Sequence, residues 1–211
     1  MLWIRILAII LSLGILGCGA APGGDSLDGA NGDLGLPLSG AAAKVQTSWS
    51  LFKDGSLSAA KQSFQQLVDS EDATAVDLAE AHAGIGWVNV KQSGSSAGIA
   101  DFRAAIAKSA GQADARVGLA GALISKGTRT DLDEVVEVLK AIDSNNANFI
   151  YVDQYNVGVS NAEAHAMLAY AYFVQGNRAK ADQQIKIASD LDAENTGTSV
   201  DQIQEIWSFM P

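Results

Sequence analysis

The sequence predicts an all-α protein, an α-solenoid of about four helical hairpins closed by a C-terminal capping helix. Three observations carry this expectation. First, four rows align along the chain: "AAAKVQTSW" from Ala41, "AEAHAGIGW" from Ala79, "ADARVGLAG" from Ala113 and "AEAHAMLAY" from Ala162, each with Ala first and third. Second, every row is followed by a turn and a further helical segment, with Gly55, Gly94, Gly127 and Gly176 as the breaks. Third, the spacing is regular. Trp49 to Trp87 and Phe64 to Phe102 are both 38 residues, and the second and third rows begin 34 residues apart. Periods of this size mean stacked helical hairpins.

Taken in chain order, "MLWIR" supplies one positive charge at Arg5, and "ILAIILSLGIL" follows with 11 uncharged residues before "GCGA". That stretch is short of the roughly 20 residues that span a bilayer, and it has the length of a signal-peptide apolar segment. "ILGC" resembles the lipobox of bacterial lipoproteins. Ile15, Gly17 and Cys18 match it, while Leu16 is bulkier than the usual small residue. The resemblance implies that residues 1–17 are removed and that Cys18, the single cysteine, becomes the acylated first residue. Acyl chains contribute about 0.8 kcal/mol per buried CH₂, enough in combination to hold the chain on a membrane. Gly rather than Asp follows Cys18. In such lipoproteins this implies the outer membrane, facing the periplasm, where the organism has two membranes. Residues 18–40 are rich in Gly, Asp and Ser, lack any periodic pattern, and read as a flexible tether.

The repeat domain spans residues 41–195, with repeats at about 41–74, 79–112, 113–145 and 162–195. Periodicity supports helices on its own. In the last repeat Leu168, Ala169 and Tyr172 share a face, and Ala181, Ile185 and Ala188 follow at i, i+4 and i+7. "DLDE" at Asp131 to Glu134 looks like an acidic cap opening a helix. An insertion of 15 residues, 146–160, interrupts the array before the last repeat, and compact domains seldom carry a loop of that length without a use. "SVDQIQEIWSFM" within 196–211 places Val200, Ile203, Ile206 and Trp207 on one face, as a capping helix requires.

These residues resemble tetratricopeptide repeats. Leu168, Ala169, Tyr172, Gly176, Ala181, Ile185 and Ala188 occupy the signature positions of the last repeat, and Ile85, Gly86, Gly98, Phe102 and Ala105 match in the second. The first matches through Gly55, Ala60, Phe64 and Leu67. The third is weakest, because "TRT" after Gly127 displaces its second helix and leaves Val135 and Leu139 as its core.

The histidines are the natural place to look for chemistry, since His82 and His165 sit in the two copies of "AEAHA". The same row position holds Lys44 and Arg116 in the other repeats, and a metal ligand does not tolerate that exchange. A structural role is therefore expected for both. "GSSAG" around Ser96 has the form of a nucleophile elbow but falls in a helix-hairpin turn without a preceding strand. In "GALISKGT" Lys126 precedes Gly127, the reverse of a phosphate loop. No catalytic residue, metal site or cofactor is expected. With 14 Lys plus Arg against 24 Asp plus Glu, a net charge of −10 also makes nucleic acid a poor partner.

A binding surface has more in its favour. In the geometry that the resemblance implies, positions two, five, nine and twelve of each first helix line the concave side. Position nine supplies Trp49, Trp87 and Tyr170, position twelve Phe52, Val90, Ile124 and Phe173, and position two Glu80, Asp114 and Glu163. This describes an apolar, aromatic groove edged with carboxylates, suited to a peptide with apolar anchors. Aromatics of this size also pack between neighbouring helices, so groove and core both stay open. The expected function is a non-enzymatic, membrane-anchored scaffold that binds a protein or peptide partner in a bacterial cell-envelope complex. The alternative is a carrier of a small apolar or lipid ligand enclosed by the solenoid.

Overall fold

The computed structural model describes residues 40–191. The signal segment, Cys18, nearly all of the tether and the capping segment 196–211 lie outside the described residues. Among the described residues there are eight α-helices and no strand. They pair as hairpins: α1 (Gly40–Lys53) with α2 (Leu57–Val68), α3 (Ala75–Ser93) with α4 (Ile99–Lys108), α5 (Ala113–Lys126) with α6 (Arg129–Lys140), and α7 (Asn161–Val174) with α8 (Arg178–Leu191). None of these helices is long and apolar enough to cross a membrane.

Each hairpin turns where the chain needs a backbone that a side chain would strain. Gly55, Gly127 and Gly176 have φ of 76°, 72° and 82°, and the remaining hairpin turns through Gly94 and the short 3₁₀ stretch Ser95–Gly98 that contains Ser96. Three of the described helix starts, at α3, α6 and α7, are capped by hydroxyls. Thr74 forms a capping box with Asp77 at α3, and Ser160 forms one with Glu163 at α7. At α6 the cap differs from the expected one. Thr128, not Asp131, is the cap, its hydroxyl accepting from the Asp131 main-chain N–H at 3.2 Å. Asp131 lies within the first turn, where its carboxylate takes up the Thr128 hydroxyl and Lys126 Nζ, the latter at 3.0 Å. These donors hold the Asp131 carboxyl below its ordinary value.

The hairpins stack because small residues let large rings in. The Phe64 ring lies so close to Gly84 that an added Cβ would sit 2.2 Å from it. The Phe102 ring fills the same kind of space against Gly86 and Gly118, where a Cβ would come within 2.6 Å and 2.4 Å. Both phenylalanines are fully buried, as are Ala79, Ala81 and Ala83 of the second row. Val135 and Leu139 are fully buried in α6, so the "TRT" irregularity is absorbed at the helix start without loss of the core face. One apolar core runs from Ala41 to Ala188.

Candidate functional site

The rows place their candidate residues on the first helices, α1, α3, α5 and α7. Across these helices lies the insertion. From residue 149 to 159 every odd-numbered residue is buried or half-buried and every even-numbered one is exposed. That alternation belongs to an irregular chain lying on a surface, which runs without a bend over 149–153 and bends at Gln154 and Tyr155. Residues 149–159 are hereafter the strap.

Its anchors fall on one first helix after another. At α7, His165 Nε2 donates to the Phe149 carbonyl at 3.0 Å, and the imidazole stacks on the Phe149 ring at 4.4 Å and 8°. A carbonyl only accepts, so Nε2 carries the proton. The other ring nitrogen lies 2.7 Å from the Gln184 side-chain amide. At α5, the Tyr151 hydroxyl donates to Asp114 Oδ1 at 2.6 Å. At α1, the Tyr155 ring stacks face to face on Trp49 with centroids 4.1 Å apart and planes 1° from parallel, and Lys53 Nζ stands 5.8 Å from the same ring. At α3, Glu80 meets the Tyr155 hydroxyl and also accepts from Trp49 Nε1 at 3.0 Å and from Gln112 Nε2 at 2.9 Å, which ties the strap's seat to the neighbouring helices. The strap then turns back through Asn156 and Gly158, at φ 56° and 92°, and Asp153 closes the turn by accepting from the Val157 and Gly158 N–H groups at 2.8 and 3.0 Å.

Electrostatics at this face follow from burial. The Asp114 carboxyl is pushed up to about 6, chiefly by desolvation and further by the Asp153 and Glu80 carboxylates, against the opposing pull of the Tyr151 hydroxyl. The Tyr151 and Tyr155 hydroxyls are held far into their protonated form, first by burial and then by the carboxylate each one faces, Asp114 and Glu80. Both tyrosines are therefore fixed as hydrogen-bond donors.

The ten candidate groove residues divide under this arrangement. Trp49, Phe52, Trp87, Ile124 and Asp114 are buried, Trp49 to 1% exposure and Trp87 to 6%. Trp87 Nε1 donates to the Asp114 carbonyl at 3.2 Å and its ring meets Phe102 edge-on, which ties it to the hairpin stack. Val90, Tyr170 and Phe173 are half-buried. Trp49, Glu80 and Asp114 are brought together under the strap. Glu163 is turned back into the α7 cap, its carboxylate accepting from the Ser160 N–H at 2.7 Å, while it still helps to raise the Tyr151 hydroxyl.

His82 and His165 stand on different helices. His82 is half-buried with Nδ1 unpartnered and its pKa lowered by burial. His165 instead clasps the strap. Arg116, at the same row position, does an equivalent job, donating through Nε and Nη2 to the Ala110 carbonyl at 3.1 and 2.9 Å. Among the described residues no group of His, Cys, Asp and Glu could hold a metal ion.

The paired helices, their turns and their stacking correspond to a solved fold. The structure resembles the crystal structure of YrrB, a TPR protein with an unusual peptide-binding site, with a TM-score of 0.54 over 79% of this chain and 75% of that one. The fold is a tetratricopeptide-type helical repeat. At 16% sequence identity the likeness concerns the fold alone. Comparison of the sequence with protein families and with curated proteins finds no match. Within the repeat array, Phe149, Tyr151, Tyr155 and the clasping role of His165 are the site features that row alignment does not reveal.

Proposed function

We propose that this chain is a membrane-anchored, non-catalytic adaptor whose first-helix face holds a non-helical segment of a protein partner in the bacterial cell envelope. One observation carries the reading. A stretch of irregular chain is seated across that face by aromatic stacking on Trp49 and by a hydroxyl donated to Asp114. A face that holds one irregular chain by its side chains has the chemistry to hold another. The half-buried Val90, Tyr170 and Phe173 add apolar surface on the same row positions. The acidic balance of the chain disfavours nucleic acid as that partner. Attachment rests on the apolar leader and Cys18, with the outer membrane, periplasmic side, as the location in a two-membrane cell.

The test is photo-crosslinking in cells with the full chain, leader included. A photoreactive residue at Val90 or Phe173 is expected to give a discrete adduct with an envelope protein, and one at the exposed Gln65 of α2 is not. Adducts from both faces alike, or from neither, overturn the reading. Separately, Cys18→Ser should release the protein from membranes, and retention there rules out the lipid anchor.

A further inference from the structure

We infer that the strap is a built-in, exchangeable ligand, and that the partner segment replacing it is a non-helical peptide with two tyrosines four residues apart. This rests on the adaptor reading above and names the chemistry of its partner.

The way the strap is held makes exchange feasible. Among the described residues its main-chain hydrogen bonds go to side chains: His165 to the Phe149 carbonyl, Asn161 to the Tyr151 N–H, and the strap's own Asp153 to Val157 and Gly158. The helices keep their own ladders whether or not this chain is present. Another non-helical segment can take its place without breaking any helix.

The anchors define what such a segment must carry. Tyr151 and Tyr155 stand four residues apart, with the chain bent at Gln154 and Tyr155, and both side chains are turned onto the helices. Tyr151 and Tyr155 use that spacing to reach from Asp114 on α5 to Trp49 on α1. Trp49 supplies a flat face to stack on, and the Asp114 and Glu80 carboxylates require donors. Tyrosine meets both needs with one side chain, whereas phenylalanine in place of Tyr151 would leave the buried Asp114 carboxylate without its hydroxyl donor.

Two further features distinguish the strap from a permanent plug. The first part of its outward side is apolar: Ile150 and Val152, ahead of Gln154 and Asn156, are 77% and 70% exposed. A segment that never left would present polar side chains to water there. Seating also buries a carboxylate. With Asp114 raised to about 6 and faced by Tyr151 and Asp153 from the strap and Glu80 from α3, the docked state keeps an ionised group from water at neutral pH, and departure relieves that cost.

The experiment uses the mature chain and a fluorescent synthetic peptide of residues 147–159. The strap competes in cis at high effective concentration, so the unmodified protein should bind this peptide weakly. Tyr151→Ala with Tyr155→Ala, which cripples the strap and leaves the face intact, should bind it about tenfold more tightly or better. The same peptide with both tyrosines replaced by alanine should not bind. A folded double variant that ignores the tyrosine peptide overturns the exchange, while inner-face crosslinks in cells would still uphold the adaptor reading. If the double variant does not fold, hydrogen exchange on the unmodified protein decides. Amides of 150–158 opening ahead of α3 and α5 uphold the proposal, and their opening only with global unfolding overturns it.

Discussion

The helical array and the strap are ordered by different means, although they share one apolar core. Fixing the backbone of a residue costs roughly 1–2 kcal/mol in either region. A helical residue offsets this through its main-chain ladder and through neighbours on both sides, as Phe102 does between Gly86 and Gly118. The strap has side-chain anchors only. Phe149, Tyr151 and Val157 are buried and contribute about 1.5–3 kcal/mol each, while Ile150, Val152, Gln154 and Asn156 face solvent and must still be held in place. The array is thus locked by redundancy, whereas the strap has the few contacts and side-chain-held backbone of segments expected to open locally. Recognition needs that kind of margin, because a face that binds reversibly cannot be covered by something that never opens.

Five substitutions and one change of pH probe this contrast, taken from the largest expected effect to the smallest. Phe102→Ala should cost about 3–5 kcal/mol of global stability in denaturant titration, since the ring has no exposed surface and its loss leaves a cavity between hairpins. Gly118→Ala should lower the melting temperature by an amount corresponding to about 1–3 kcal/mol, because the new methyl would sit 2.4 Å from the Phe102 ring. Equal effects on strap and array are expected in both cases; a loss confined to the strap would break the comparison.

Tyr151→Phe should act the other way round. Removing the hydroxyl that meets Asp114 should weaken strap seating by about 1.5–3 kcal/mol, seen as lost hydrogen-exchange protection at 150–158 with the melting temperature almost unchanged. The pH dependence follows from Asp114. Its folded value is raised, so its favourable share in strap seating is complete below 3.8 and is lost as the pH rises through about 6. Protection factors in the strap should therefore be several-fold higher at about pH 5 than at about pH 7.5, and Asp114→Asn should flatten that difference. Last, Glu134→Gln breaks the Arg103 to Glu134 pair, 2.6 Å long but 51% and 36% exposed at its two side chains, and should change stability by less than about 1 kcal/mol.

Much of the fold was legible because a repeat array repeats its information. Four rows of small residues, a glycine at each turn and a fixed offset between Phe64 and Phe102 all point to the same hairpin. Alignment places His82 and His165 at the row position of Lys44 and Arg116, but the clasp of His165 on the Phe149 carbonyl leaves no mark in it. The α6 cap was misread at Asp131 because a carboxylate in a first turn and one at a cap look alike in sequence, and only the extended backbone at Thr128 separates them. The strap was harder. Tyr151 and Asp114 are 37 residues apart, and Tyr155 and Trp49 more than 100, so no local period links them. The alternation in "FIYVDQYNV" was also masked, because the outward residues Ile150 and Val152 are as apolar as the inward ones.

Those two outward residues have a further consequence. Phe149, Ile150, Tyr151 and Val152 form an uncharged, β-prone run with neither proline nor glycine, the composition of segments that pair with copies of themselves. While seated, one side of the run is sealed against α5 and α7 and no second chain can sandwich it. Cut loose, it would be the stickiest stretch in the repeat domain. The first-helix face then shelters its own insertion from self-association, and a partner arriving to replace the strap would also set free the segment that needs that shelter.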